Sequence, residues 1–132
     1  MRKTISKQPG KIIPNGVKPE PHEMDTFLLF ANLGKTVELI TPSNTPHSKR
    51  PDFVMDGLEW ETKSPTQKSR RTIERVFYEA SNQSKNIVID LRRINNDIKS
   101  MVHLLEKCFR TTRKVHKMYV IIKPGKIMFY KK

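Results

Sequence analysis

Two carboxylates and a lysine fall where a phosphodiester-cleaving centre would need them. Asp52, Glu61 and Lys63 lie in PDFVMDGLEWETKSP, residues 51–65. Within it, Asp56-Gly57 stands between apolar residues, the pattern of a two-residue type I′ hairpin turn. With those two as the loop, Met55 faces Leu58, Val54 faces Glu59, Phe53 faces Trp60 and Asp52 faces Glu61. Side chains alternate along a strand, so Phe53, Met55, Leu58 and Trp60 share an apolar face that packs on a helix. Asp52, Glu61 and Lys63 share the other face. Opposed residues in such a pair have Cβ atoms about 4.5–5.5 Å apart, and like charges there destabilise the sheet unless something offsets them. A divalent cation, a shared proton or nearby Lys and Arg would do so. A hard cation such as Mg²⁺ takes one or two carboxylates plus phosphate oxygens and water. Asp52 and Glu61 are therefore candidate metal ligands, with Mg²⁺ the expected ion. Lys63 would stabilise charge developing on the phosphorus centre or orient the nucleophile. Glu23, on an upstream helix, is a candidate third carboxylate. The plainer alternative is a surface strand whose charges are neutralised by Arg50 and Lys63.

The charge balance says what such a centre would meet. Lys and Arg total 26 against 13 Asp and Glu, a formal net charge of +13 over 132 residues. That excess points to a polyanion. Nucleic acid leads; an anionic membrane surface is weaker, because no helix joins a basic face to a long exposed apolar one. Lys68, Arg70, Arg71 and Arg75 crowd the stretch just after Lys63, where a phosphate backbone would approach. Arg92 and Arg93 follow NIVIDL as candidate phosphate clamps. Asp90 is either a third acidic residue of the site or the buried partner of an arginine. Gln83 sits off the apolar stripe of its helix and is a candidate for the catalytic side. His22, His103 and His116 lack metal-ligand spacing. The single cysteine, Cys108, excludes an internal disulfide framework and a multi-cysteine zinc site. It falls among helical apolar positions and reads as a small buried hydrophobe. Apolar runs such as Met118–Ile122 are far shorter than the about 20 residues of a membrane span, and no signal-peptide core follows Met1.

Several elements must position these residues. Residues 1–21 carry four of the nine prolines and few apolar side chains, so they read as a flexible basic leader or linker outside the core. Residues 22–132 form the expected domain. A first helix is predicted from about Pro21 to Leu33, with Gly34 as its stop. A short strand follows over Lys35–Ile40, then a loop over Thr41–Arg50. After the hairpin come a helix over Ser69–Ser84, a strand over Asn86–Leu91 and a helix over Asn96–Arg110. Two closing strands, Val115–Ile122 and Lys126–Tyr130, are joined by a type II turn at Pro124-Gly125. The order α-β-β-β-α-β-α-β-β gives an α/β (α+β) single domain on one mixed sheet.

Pro51-Asp52, eight intervening residues and Glu61-Thr62-Lys63 match the PD-(D/E)xK nuclease pattern, and the element order resembles that superfamily's core. The longer text is more specific. PSNTPHSKRPDFVMDGLEWETKSP and the later ASNQSKNIVIDLRR resemble the nuclease toxin domains at the C-termini of contact-dependent growth inhibition (CdiA-type) proteins, over about residues 22–132. That resemblance implies an endonuclease toxin cutting RNA, tRNA first and DNA second, with an immunity protein as its partner. Charge complementarity makes that partner acidic. It also implies a bacterial protein acting in the cytoplasm of a target cell, either excised from a larger secreted protein or standing alone in a mobile element. Within the broader group a metal-free mechanism also occurs, with acid–base work on the ribose 2′-hydroxyl. His47, Lys63, Thr66 and Lys68 are the residues on hand for it. A non-catalytic nucleic-acid-binding module is the reading from a different class.

Overall fold

The computed structural model describes residues 9–42 and 50–132. Among these, the elements run β1 (Ile12–Ile13), α1 (Pro21–Asn32), β2 (Val37–Leu39), β3 (Phe53–Met55), β4 (Leu58–Lys63), α2 (Arg70–Gln83), β5 (Asn86–Asp90), α3 (Ile98–Thr111), β6 (Lys117–Ile122) and β7 (Lys126–Lys131). The strands form one mixed sheet in sequential order, β1 to β7. β1–β2, β4–β5 and β5–β6 are parallel, and the remaining neighbours are antiparallel. The expected α+β class and element order hold, with β1 added in front.

Strand alternation divides the core in two. Ile87 and Ile89 on β5, with Met118 and Val120 on β6, pack under α2 and α3 through Ile73, Phe77, Leu105 and Phe109. Val88 and Ile121, one residue out of phase, face the other way and join Phe27 and Phe30 of α1 with Phe53 and Trp60 of the hairpin. Both faces of the central strands are therefore dry, which is why NIVIDL is nearly all apolar. Cys108 is buried in the first of these clusters, as its helical position suggests.

The local signals explain the helix limits. Pro21 occupies the first turn of α1, and Glu20 and Glu23 form a reciprocal capping box there. Ser69 caps α2, its hydroxyl accepting the Thr72 N–H at 3.1 Å. The β3–β4 turn has positive φ at both Asp56 (56°) and Gly57 (75°), as a type I′ turn requires.

Two expectations differ from what is seen. Ile12–Ile13, placed outside the core by composition, pairs in parallel with Val37–Glu38. Gly10 donates to the Ala31 carbonyl at 2.6 Å, and a Cβ at Gly10 would sit 1.7 Å from the Lys35 carbonyl oxygen. Glycine is what permits that approach. Second, the β6–β7 loop has a cis Lys123–Pro124 bond and Gly125 at φ 154°, so it is not a type II turn. Part of the predicted 41–50 loop, including His47, lies outside the described residues.

Candidate active site

The hairpin ladder matches the predicted register as far as Phe53–Trp60. It then departs from it. The Asp52 N–H donates to the Trp60 carbonyl at 2.8 Å, so Asp52 and Phe53 both oppose Trp60 in the manner of a β-bulge. Asp52 is thus not placed directly across from Glu61. Its carboxylate turns back along β4, and Oδ2 accepts the Thr62 backbone N–H at 2.9 Å. The bulge still brings the two carboxyls together: they stand within hydrogen-bonding reach of each other, and the Asp52 charge raises Glu61.

Glu61 and Lys63 face away from Trp60, as alternation demands. Glu61 stands beside Ile87 and Lys63 beside Ile89 in the parallel ladder, so both point to the α2–α3 side. That side is not a solvent face. Glu61 is 7% exposed, and its Oε1 is buried with no hydrogen-bond partner among the described residues. The Lys63 Nζ lies 3.9 Å from Oε2 of Glu61.

The electrostatics follow from this burial. Desolvation, and then the Asp52 charge, push Glu61 from 4.5 up to about 8 against the pull of Lys63. Desolvation also raises Asp52, opposed chiefly by the Thr62 N–H and reinforced by the Glu23 charge. At neutral pH the pair therefore holds a proton. This is the offset to like-charge repulsion that the sequence requires.

The other candidates divide by location. Glu23 influences both carboxylates, but its Oε1 is engaged by the Glu20 N–H at 2.9 Å. No group of three or more His, Cys, Asp or Glu side chains suited to one metal ion occurs among the described residues. Asp90 is on the opposite face and is the buried arginine partner: it accepts from the Thr26 hydroxyl at 2.6 Å and from Arg92 at 2.8 Å. Neither Asp90 nor Arg92 belongs to the carboxylate pair. Arg93 reaches the Ser64 carbonyl at 3.1 Å and so stands beside the end of β4. Gln83 is half-buried at the end of α2, with a buried Oε1 that has no hydrogen-bond partner among the described residues.

Thr66, Gln67, Arg75 and Arg93 line a cavity of about 320 Å³ that begins at Ser64, the residue after Lys63. Lys68 is paired with Asp97 at 2.8 Å, Arg70 with Glu74 at 3.4 Å and Arg75 with Glu79 at 3.3 Å. Arg71 is exposed, with no ion pair among the described residues. Gln67 and the backbone N–H of Thr62 are the site elements that residue types alone do not single out. A main-chain donor leaves no trace in side-chain patterning.

No helix among the described residues is long and apolar enough to cross a membrane. No curated protein matches the chain in sequence. In fold it is similar to a chain of the CdiA-CT/CdiI toxin and immunity complex from Burkholderia pseudomallei, with a TM-score of 0.72. Identity is 20%, and the match covers 93% of this chain and 100% of that one. The family model described as the contact-dependent growth inhibition CdiA C-terminal domain matches residues 49–127. That span contains β3, β4, both later helices and all of Asp52, Glu61 and Lys63. The chain belongs to the contact-dependent growth inhibition CdiA C-terminal domain family.

Proposed function

We propose that the chain is a toxin endonuclease that cleaves phosphodiester bonds in RNA, with tRNA as its first substrate and Asp52, Glu61 and Lys63 at its centre. The observation that carries this reading is the Glu61 carboxyl. It is buried beside Asp52, with one oxygen unpartnered and the Lys63 ammonium 3.9 Å from the other. A protein gains no stability from a carboxyl kept this way, and perturbed acids of this kind concentrate at catalytic sites.

The donor set suits a hard divalent cation, since the oxygens of Asp52 and Glu61 are the ligand type Mg²⁺ prefers. Such an ion, when bound, supplies Lewis-acid activation of a phosphoryl oxygen. The protein's own residues do the rest. Lys63 places positive charge where the phosphoryl group gains negative charge. Asp52 is held in position by the Thr62 N–H. Arg93, in the cavity after Ser64, neutralises a flanking phosphate. The net charge of +13 draws the polyanion in. Because the structural neighbour comes from a toxin and immunity complex, an immunity protein with acidic surface is the proposed partner.

Incubation of the purified chain with total tRNA and with plasmid DNA, each with Mg²⁺ or with EDTA, tests this reading. Cleavage of tRNA that Glu61→Gln abolishes is expected. Cleavage of plasmid alone would replace RNA by DNA as substrate, and binding without cleavage would leave a nucleic-acid-binding module.

A further inference from the structure

Of the basic residues that follow β4, Lys68, Arg70 and Arg75 already hold carboxylates, those of Asp97, Glu74 and Glu79. A larger group of cations without such partners among the described residues lies elsewhere. At the C-terminal end of α3 and the start of β6, a cavity of about 500 Å³ is lined by Arg110, Thr112, Arg113, His116, Lys117 and Lys132. An adjoining cavity of about 410 Å³ shares Arg113 and His116 and adds Lys85 and Lys114.

Among the described residues, none of these side chains forms an ion pair. Lys114 donates to the neutral Asn82 amide oxygen at 2.8 Å. Lys132 donates to the Thr112 carbonyl and lies over the Phe109 ring, 4.9 Å from its centroid. These neutral contacts orient the two lysines without cancelling their charge. The carbonyls at the end of α3 contribute only about half a negative charge, far less than the cations around them.

We infer that this cleft is a second phosphate-backbone site, which holds the nucleic-acid substrate at a distance from the scissile bond. The inference rests on the nuclease reading above and deepens it by locating the substrate's remote contact. Its position fits. Lys117 is at the start of β6 and Glu61 near the start of β4's pairing with β5, two strands away. Two strand spacings are roughly 10 Å at the backbone, but Ile87 and Met118 between them are buried under α2 and α3, so a bound strand joins the two places around the outside of the domain, over a path longer than a mononucleotide. Its composition fits a phosphate backbone better than a protein. Protein interfaces centre on buried aromatic and apolar anchors, whereas the cleft's own lining includes no Phe, Tyr, Trp or aliphatic side chain. Phosphate contacts position a nucleic acid without reading its bases, so this cleft favours length and shape over sequence.

The test uses the full chain carrying Glu61→Gln, so that binding is read without cleavage. Anisotropy of fluorescein-labelled tRNA is titrated from low to high KCl, with thermal melts as the folding control. Adding Arg110→Ala, Arg113→Ala and Lys117→Ala together should weaken binding by about tenfold or more and flatten the log–log salt slope by about two. Should the triple variant fail to fold, Arg113→Ala alone should flatten the slope by about 0.7–0.9. An unchanged affinity and slope in a folded variant overturns the inference while leaving the nuclease reading intact. So does a loss confined to binding of an acidic protein, which would make the cleft a protein interface. If the Glu61→Gln parent binds no nucleic acid, this inference and the nuclease reading fall together.

Discussion

The Thr26 hydroxyl on α1 donates to Asp90 on β5 at 2.6 Å, with both side chains buried. This contact ties the first helix to the centre of the sheet. Thr26 is one turn beyond Glu23, whose charge raises both site carboxyls. Arg92 holds the same Asp90 carboxylate at 2.8 Å.

Asp90→Ala should therefore destabilise the fold by about 1–3 kcal/mol, because it leaves the buried Thr26 hydroxyl only the His22 carbonyl at 3.3 Å and takes the carboxylate from Arg92. Chemical denaturation should show a lower midpoint with an unchanged slope. A variant as stable as the wild type would contradict the role of this clamp.

Glu61→Gln should abolish cleavage without reducing stability. The folded protein already prefers the neutral acid at this position, and the amide is neutral at every pH. A melting temperature equal to or above the wild type's at pH 8, together with lost activity, is the expected pair of results.

Stability should fall as pH rises from about 4.5 to about 8. The folded-state value of Glu61, about 8, lies above its ordinary value of 4.5. Below 4.5 both folded and unfolded chains bind the proton. Between the two values only the folded chain binds it, so the contribution of the protonated form drains away as the pH climbs. At the proposed Mg²⁺ site the ion would compete with that proton, so its stabilising effect in thermal melts should grow as pH passes through 8. In Glu61→Gln, both the pH slope over this window and the Mg²⁺ effect should shrink.

Lys63→Met should remove cleavage while retaining the fold, since the side chain is half-exposed and its aliphatic stem is kept. It should also raise the Glu61 pKa further, because Lys63 is the cation that opposes the shift. Titration followed by carboxyl-selective NMR would read that rise.

Arg71→Ala should weaken binding of nucleic acid more than Arg70→Ala does. Arg70 already serves Glu74 at 3.4 Å, so less of its charge is free to meet phosphate. Equal effects in salt-titrated binding would mean that the ion pair opens when substrate arrives.

The hairpin was legible because its turn is local. Asp56-Gly57 fixes the loop, and the loop fixes the register outward to Phe53–Trp60. The prediction stops where an added residue breaks the count, at Asp52, and no residue type announces a bulge there. Asp90 shows a second limit. Its alternation within NIVIDL could be counted, but which helix covers each face depends on contacts 64 residues apart, Thr26 to Asp90. Charge totals give the sign of the surface, but not which cations are cancelled at home. Lys68 and Asp97 are 29 positions apart and meet only after folding.

The pairing of Ile12–Ile13 with β2 sets where this chain can be cut. A truncation starting at residue 22 would strip the sheet's outermost strand, bare the Val37–Leu39 edge and remove Gly10 from its seat on α1. Unclothed strand edges recruit other strands. A trimmed chain would then be lost to self-association before its chemistry failed, so a protease or an expression boundary compatible with function must fall ahead of Gly10.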